Sequence, residues 1–168
     1  MRFRLYKPET DCISKDPLHL AYLAGLIDGE GCFFIGKYKC KSGCGITFHT
    51  ILNITSADQI LVQWVFDHFG GNGDSHVRWT SKKAYERPIY RWVISGDHLT
   101  KLCELLIPYL VLKKGHAEVM LEMRKTYKAG VGRGRVNLAA NEWEKRDELM
   151  KQLRQLNSRF HNHALKHK

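Results

Sequence analysis

The sequence predicts an α+β fold built on an antiparallel sheet, and two patterns support this prediction. Helix-type and strand-type segments follow one another in the order helix, two strands, helix, two strands and further helices, and neighbouring strands joined by short turns pair antiparallel. The segment from Ile46 to Thr55 alternates apolar with polar residues, as a half-buried strand does. A chain of 168 residues is expected to form one domain with a sizeable core.

The first predicted helix, Leu18 to Asp28, ends in an unusual group of acids and glycines. Residues 23–31 read L-A-G-L-I-D-G-E-G, and the last two glycines are good helix terminators, so Asp28 and Glu30 fall at the C-terminal end. The helix carbonyls carry partial negative charge there, so acids at that point need a cation among them. Mg²⁺ accepts both kinds of oxygen. The segment therefore suggests a metal site at a helix terminus.

The same helix carries a row of small residues, because Ala21, Gly25 and Gly29 are spaced four apart. Such a row lets a second helix approach closely. The apolar stretch from Leu18 to Ile27 is too short to span a bilayer. Two interpretations stay open at this level, a helix pair in a soluble protein or packing under the sheet of the same chain.

Four strands form the predicted sheet. The first, Gly31 to Lys39, carries Phe33 and Ile35 on one face and Phe34 and Tyr38 on the other. In the second strand one face is apolar and the other mostly polar, with Ile46, Phe48, Leu52 and Ile54 opposite Thr47, His49, Ile51, Asn53 and Thr55. The third and fourth strands, His76 to Thr80 and Pro88 to Ser95, form a hairpin around a basic tip.

A helix between these strand pairs is predicted to run from a Ser56 cap to Phe69. Its first turn contains Asp58, and its inner side consists of Ile60, Trp64 and Val65. The glycine-rich run 70–74 is expected to break it.

Helices follow the hairpin. One begins at Ser95–Asp97, has an amphipathic row of leucines, and ends near Pro108. The next runs from Lys114 to Lys128, and Asn137 is predicted to cap the last. Their inward residues are predicted to be Leu99, Leu102 and Leu106, then Val119, Met120 and Met123, and finally Leu149, Leu153, Leu156 and Phe160.

The net charge indicates the class of partner, and the cysteine content indicates the cellular compartment. Lysine and arginine number 27 against 17 acids, giving a net charge of +10, which favours a polyanionic partner over a merely soluble surface or a membrane. The odd number of cysteines and the absence of a secretory signal favour a reducing intracellular compartment. Cys40 and Cys44, with His49, could form a zinc clip, but no second pair supports it. The cysteines are Cys12, Cys32, Cys40, Cys44 and Cys103.

Residues 23–31 resemble the motif of the LAGLIDADG homing endonucleases, with Asp-Gly-Glu-Gly in place of the usual Asp-Ala-Asp-Gly ending. Ile107 to Lys114, I-P-Y-L-V-L-K-K, resembles the family's second landmark, a helix-end proline followed by an active-site lysine. Ile54 to Gln59 resembles the strand-to-helix junction between them. The resemblance extends from about Leu18 to Tyr127. It implies the family fold, α-β-β-α-β-β-α, with a saddle-shaped antiparallel sheet for DNA.

The resemblance implies a catalytic site. Glu30 matches the metal-binding catalytic acid, the Gly29 carbonyl is an expected further metal ligand, and Lys113 matches the pocket lysine. Where the family often has a glutamine that holds a water, this chain has Ser56, whose side chain is shorter. The implied cofactor is Mg²⁺, with Mn²⁺ or Ca²⁺ able to occupy the same site. The implied reaction is a double-strand break in a long, near-palindromic DNA target that promotes intron mobility.

The polar sheet face is expected to read the DNA major groove, because arginine and polar side chains pair with base edges and lysines contact phosphates. Single lysines on that face are equally well explained as ordinary solvated charges. The candidate DNA contacts are Lys37, Tyr38, Lys39, Thr47, His49, Asn53, Arg78, Lys82, Lys83, Arg87 and Arg91.

One copy of the motif implies the homodimeric type of the family, with the motif helix at the dimer interface. The candidate interface residues are Ala21, Ala24, Gly25 and Asp28, and Asp28 is expected to cap or pair there rather than to bind metal. The expected domain comprises an arm (1–17), a core (18–128), a basic glycine-rich loop (129–136) and a C-terminal helix and tail (137–168). Double-stranded DNA is the expected substrate, with no membrane partner and no small-molecule substrate.

Other functions stay open on sequence alone. Relatives of this fold include RNA maturases and DNA-binding regulators without cleavage, and a zinc-dependent regulator would use Cys40 and Cys44. Glu30 and Lys113 favour the nuclease, because a protein that only binds has no need of an acid beside phosphate. Encoding in an organelle, a chloroplast or mitochondrion, is expected from the resemblance.

Overall fold

The computed structural model describes residues 4–7, 13–39, 46–76, 89–127 and 140–165. Within these residues the chain forms five strands and five helices. In chain order they are β1 (Arg4–Lys7), α1 (Pro17–Glu30), β2 (Gly31–Lys39), β3 (Ile46–Ser56), α2 (Gln59–Phe69), β4 (Gly71–His76), β5 (Ile89–Ser95), α3 (Gly96–Leu106), α4 (Lys114–Lys125) and α5 (Ala140–Leu165).

The strands form one antiparallel sheet in the order β1-β4-β5-β3-β2, so the α+β prediction is confirmed. Alternate residues of β2, β3 and β5 point into a core covered by helices, and the core side chains of these strands are Phe33, Ile35, Phe48, Leu52, Ile54, Trp92 and Ile94. Ile46 is 39% exposed although it was predicted to share this apolar face. It lies opposite Lys39 at the very end of the β2–β3 pair, where the core stops.

The first strand was not predicted, because residues 1–17 show no pattern. Arg4–Lys7 pairs with Gly71–Asp74 and forms an edge of the sheet. Four residues are too few to show a period, and backbone hydrogen bonds rather than side chains make this pairing. The predicted arm therefore includes an edge strand.

The strand β4 also begins earlier than predicted, inside the glycine-rich run. Gly70 and Gly71 have φ values of 65° and 90°, which turn the chain from α2 directly into the strand. A Cβ on Gly71 would lie 2.8 Å from the Val93 carbonyl oxygen. Glycine thus permits the close strand contact there, and most of the predicted strand 76–80 lies outside the described residues.

The helix α2 begins later than predicted. Asp58 is its N-cap, and its carboxylate accepts from the Ile60 N–H at 2.7 Å. Ser56 ends β3, and its hydroxyl accepts from the Asp58 N–H at 3.0 Å, so the predicted Ser56 cap is wrong. Ile60 is 79% exposed rather than inward. The buried side of the helix consists of Val62, Val65, Phe66 and Phe69.

The later helices follow the predicted pattern. The leucine row of α3 and the apolar residues of α4 are buried as expected, and α3 ends at Leu106, two residues before Pro108. In α5, Leu149 and Leu153 are buried and Leu156 is partly buried against the core. The predicted Asn137 cap, the Phe160 side chain and the loop 129–136 lie outside what the structure describes.

Among the described residues, no helix combines the length and apolar character that a membrane span requires.

Candidate active site and nucleic-acid interface

The motif helix α1 ends where α4 begins, and Asp28 joins the two. One carboxylate oxygen of Asp28 accepts from the Val111 and Leu112 N–H groups at 2.8 and 3.1 Å, and the other accepts from the Lys113 N–H at 2.8 Å. Lys113 is the N-cap of α4, so this carboxylate lies at a helix N-terminus, where a negative charge is favoured. Asp28 therefore binds its own chain.

The side chain of Lys113 lies at the other end of the same contact. Its Nζ donates to the carbonyl oxygens of Ile27 and Asp28 at 2.7 and 2.9 Å. The acids and carbonyls at this helix end need a cation among them. The Lys113 ammonium lies there, so their charge does not by itself require a metal ion.

Burial lowers the pKa of Lys113, while the charge of Asp28, then the Cys32 thiol and Glu30, act in the opposite direction and favour the ammonium. The next histidine along α4, His116, is buried and stacks on Phe33 with ring centroids 6.1 Å apart. Burial and the positive charge of Lys113 lower the pKa of His116. Burial thus disfavours a positive charge on both side chains, and the nearby acids partly offset this effect at Lys113.

Glu30 is the last residue of α1 and is exposed to solvent. The chain leaves it directly into β2 because Gly31 continues as extended backbone, with φ −71° and ψ 142°. A Cβ on Gly31 would lie 2.7 Å from the Ile27 backbone. Glycine at this position lets the strand start against the helix, which fixes Glu30 at the junction.

Ser56 lies at the end of β3, two residues beyond the Ile54 position that pairs with Gly31. Its hydroxyl oxygen accepts from the Asp58 N–H, which ties it to the turn between β3 and α2. A catalytic role for Ser56 stays a prediction.

The face of the sheet opposite the helices, here called the open sheet face, starts beside Glu30. Phe34 and Tyr38 are 42% and 47% exposed, and the Tyr38 ring meets the His49 ring edge-on with centroids 5.2 Å apart. By strand register this face includes Cys32, Phe34, Gly36, Tyr38, Thr47, His49, Ile51, Asn53, Thr55, Arg91 and Val93, together with Asn72 and Asp74 of β4, which pair with Val93 and Arg91. The predicted contacts Tyr38, Thr47, His49, Asn53 and Arg91 all lie on it.

Lys37 lies on the helix side instead, so its predicted place on the face that reads DNA is wrong. Its Nζ forms a salt bridge with Asp147 of α5 at 2.9 Å and lies 5.6 and 5.7 Å from the ring centroids of Trp143 and Phe48. Lys39 has the same parity in β2 and pairs with Ile46 at the end of the strand, so it also does not belong to the open sheet face. The alternation of Phe33 and Ile35 already assigns both lysines to the helix side.

Arg78, Lys82, Lys83 and Arg87 of the hairpin tip, and Cys40 and Cys44 of the zinc alternative, lie outside the described residues. The strand alternation predicts Phe34 and Ile51 on the open sheet face, and the structure confirms both positions. Cys32 and Val93 were missed as open-face positions, although the same alternation would have found them.

One side of α1 is exposed and apolar. This open helix face combines small and large residues, and a Cβ on Gly25 or Gly29 would meet nothing within 4 Å. The neighbouring Val111 and Leu112 are 82% and 58% exposed. The open helix face consists of Leu18, Ala21, Tyr22, Gly25 and Gly29. Ala24 is fully buried in the protomer core, so its prediction as an interface residue is wrong.

The model of the protein family described as LAGLIDADG endonuclease matches residues 23–129, more than half of the chain. The chain belongs to the LAGLIDADG endonuclease family. The match spans the acid at the end of α1, the open sheet face and the Lys113 loop. A comparison with curated protein sequences found no match.

Solved LAGLIDADG endonuclease structures share this fold. The archaeal intron-encoded homing endonuclease I-Vdi141I, complexed with DNA, aligns with a TM-score of 0.64 at 19% identity, over 83% of this chain and 84% of its own. I-CvuI, in complex with DNA in the presence of Mg, gives 0.57 at 20% identity, over 80% of this chain and 96% of its own. I-SmaMI, bound to uncleaved DNA with calcium ions, gives 0.60 at 21% identity, over 84% of this chain but 48% of its own.

Proposed function

We propose that this LAGLIDADG endonuclease is a site-specific homing endonuclease that cuts both strands of a long, near-palindromic DNA target. The observation that carries the proposal is the exposed Glu30 carboxylate at the end of α1, two residues after Asp28, whose carbonyl oxygen accepts from the Lys113 ammonium at 2.9 Å. An acid and a lysine at the edge of an open sheet suit a reaction on phosphate. DNA complexes of the structurally similar endonucleases support the choice of substrate.

Lys113 would stabilise the negative charge that develops on the phosphate. Its ammonium is already fixed by two carbonyl oxygens, so it needs no reorientation during the reaction. The sheet residues Arg91 and Asn53 would contact base edges, since arginine pairs with guanine and asparagine with adenine. The charge of +10 would supply the phosphate attraction.

The residues at the helix junction fit a divalent ion only in part. Glu30 would provide a carboxylate and Gly29 a carbonyl oxygen, but no group of three His, Cys, Asp or Glu side chains that could hold a metal occurs within the described ranges. A hard cation takes six or more oxygens, so a second subunit and the DNA phosphates would have to complete the set. When bound, Mg²⁺ would activate a water and stabilise the phosphate charge.

The same geometry supports a homodimer. The small residues Ala21, Gly25 and Gly29 lie on the exposed side of α1, not under the sheet, which supports the helix-pair alternative. The chain also matches nearly all of the I-CvuI chain but about half of the I-SmaMI chain. Two copies of α1 would bring two Glu30 residues together, one for each DNA strand.

Cleavage selection on a library of palindromic DNA duplexes tests the proposal. The wild-type protein with Mg²⁺ should release doubly cut fragments, EDTA should stop the reaction, and Glu30→Gln should bind the selected duplex without cutting it. Binding without cutting by both proteins would overturn the nuclease and favour the regulator. A preference for structured intron RNA over every duplex would favour the maturase. A selected target sequence that matches the insertion site of an intron would support a role in intron mobility.

A further inference from the structure

Asp28 contacts Lys113 both at its backbone and at the end of its side chain. Its carboxylate accepts from the Lys113 backbone N–H at 2.8 Å, and its own carbonyl oxygen accepts from the Lys113 Nζ at 2.9 Å. A lysine side chain has four rotatable bonds, and fixing it costs about 2 kcal/mol of rotamer entropy. Asp28, together with the Ile27 carbonyl that accepts from the same Nζ at 2.7 Å, therefore fixes where this ammonium lies relative to the end of α1.

The carboxylate also fixes the loop before α4. Two further backbone N–H groups, of Val111 and Leu112, donate to the same oxygen of Asp28, although the side chains of both residues are exposed. Exposed side chains provide little packing to hold a loop in place. The three hydrogen bonds to Asp28 are thus the main described attachment of this segment to α1.

We propose that Asp28, which was expected in the dimer interface, is the positioning residue for Lys113 in phosphodiester cleavage. The proposal rests on the proposed function. Asp28 does not touch the substrate; it acts by holding the 111–113 backbone and the Lys113 ammonium at the same point. An aspartate suits this role because its two oxygens accept only, whereas an asparagine would direct its NH₂ group against backbone donors.

A double-mutant cycle tests the action through Lys113. Asp28→Asn should lower the single-turnover cleavage rate by roughly 10- to 100-fold, since displacement of a catalytic group by about 1 Å has effects of this size. In a Lys113→Met background the same change should lower the rate by no more than about threefold, because the group that Asp28 positions is gone. Additive losses would overturn the proposal.

Asp16→Ala is the matched control. Asp16 caps the other end of α1, where its carboxylate accepts from the Leu18 N–H at 2.8 Å. Its loss should lower the melting temperature, as a lost helix cap does, but leave the cleavage rate within about threefold of wild type. A rate loss in Asp16→Ala equal to that in Asp28→Asn would show that Asp28 acts only through stability, and would also overturn the proposal.

A measurement without DNA separates this proposal from the proposed function. Acylation with an amine-reactive reagent, followed by mass spectrometry, should modify Lys113 severalfold faster in Asp28→Asn than in wild type, while the exposed Lys101 reacts equally in both. That result in a protein that cuts no DNA would reject the nuclease and keep the positioning role. Equal Lys113 reactivity in both proteins would reject the positioning role, even in an active nuclease.

Discussion

At the scale of single residues, the helix-end cluster is only partly what its sequence indicates. The run Asp28-Gly29-Glu30-Gly31 suggests two acids around a metal ion, yet the two acids have different surroundings. Asp28 accepts three backbone hydrogen bonds, whereas Glu30 is exposed. Sequence spacing places both at the helix end, but it cannot show that a loop more than eighty residues later reaches one of them. Tertiary contacts decide that difference.

The glycine at the start of β2 is expected to be essential for folding. Gly31→Ala would place a Cβ 2.7 Å from the Ile27 backbone, and such overpacking typically costs about 1–3 kcal/mol. Gly115→Ala is the control, because its Cβ would meet only Leu156 at 3.8 Å, an ordinary contact. Urea unfolding at one protein concentration should show a loss of stability in Gly31→Ala and none in Gly115→Ala; equal behaviour would contradict the packing argument.

A buried histidine is expected to make stability depend on pH. Burial lowers the pKa of His98 below its ordinary 6.5, and its Nε2 has no hydrogen-bond partner among the described residues. Below pH 6.5 the unfolded chain takes up a proton before the folded one, so the free energy of unfolding falls as the pH is lowered, by at most about 1.4 kcal/mol per unit for one site. Urea unfolding between pH 7.5 and 5.5 should show a smaller decrease in His98→Gln; an identical decrease would exclude His98.

At the scale of elements, two neighbouring charged residues of the long helix α5 add polar contacts of different kinds to its buried apolar side. Arg146 is 5% exposed, donates to the hydroxyl and carbonyl of Thr126, and lies 4.3 Å from the Tyr127 ring centroid. The Tyr127 hydroxyl in turn donates to the Phe48 carbonyl of β3 at 2.9 Å. The adjacent Asp147 binds Lys37 at the surface.

These two neighbours on α5 should differ strongly in their effect on stability. Arg146→Leu leaves the partly buried hydroxyl and carbonyl oxygens of Thr126 without their charged donor, which is expected to cost about 1.5–3 kcal/mol. Asp147→Asn removes a salt bridge that is about one-third exposed on each side, and such pairs contribute less than about 1 kcal/mol. Chemical unfolding of both variants checks the order. A larger loss in Asp147→Asn would show that the surface pair holds the helix.

The strand period also makes a prediction about DNA binding. Lys37 is on the helix side, whereas Arg91 is on the open sheet face in register with Thr55. If this face meets DNA, Arg91→Met should weaken binding of the selected target by roughly tenfold or more, since one base-edge pair contributes about 1–3 kcal/mol. Lys37→Met should leave the affinity within about twofold. Fluorescence anisotropy at fixed salt measures both, and the reverse order would place DNA on the other side.

At the scale of the whole molecule, the elements could be predicted from the sequence where they have clear periods. The strand 31–39, the buried leucines of α3 and the alternation in β3 follow from local pattern. The edge strand β1 and the start of β4 do not, because glycines and four-residue strands carry no hydrophobic period and their pairing depends on distant backbone. The strand alternation predicts that Lys37 lies on the helix side of the sheet, but its positive charge led to its assignment as a DNA contact.

The assembly gives the last prediction, because the open helix face is exposed in one chain and suits a second copy. Gly25→Leu would fill the space that a partner helix needs, since nothing lies within 4 Å of a Cβ there. We expect this variant to shift from dimer to monomer in sedimentation velocity at micromolar concentration and to lose double-strand cleavage. Its fold should be retained, because the site faces away from the core.

Ile60→Gln is the control: Ile60 is as exposed as Leu18, at 79%, but lies on α2. It should leave the dimer unchanged. A Gly25→Leu protein that stays dimeric would place the subunit contact elsewhere and remove the geometric reason for pairing two Glu30 residues across one DNA duplex.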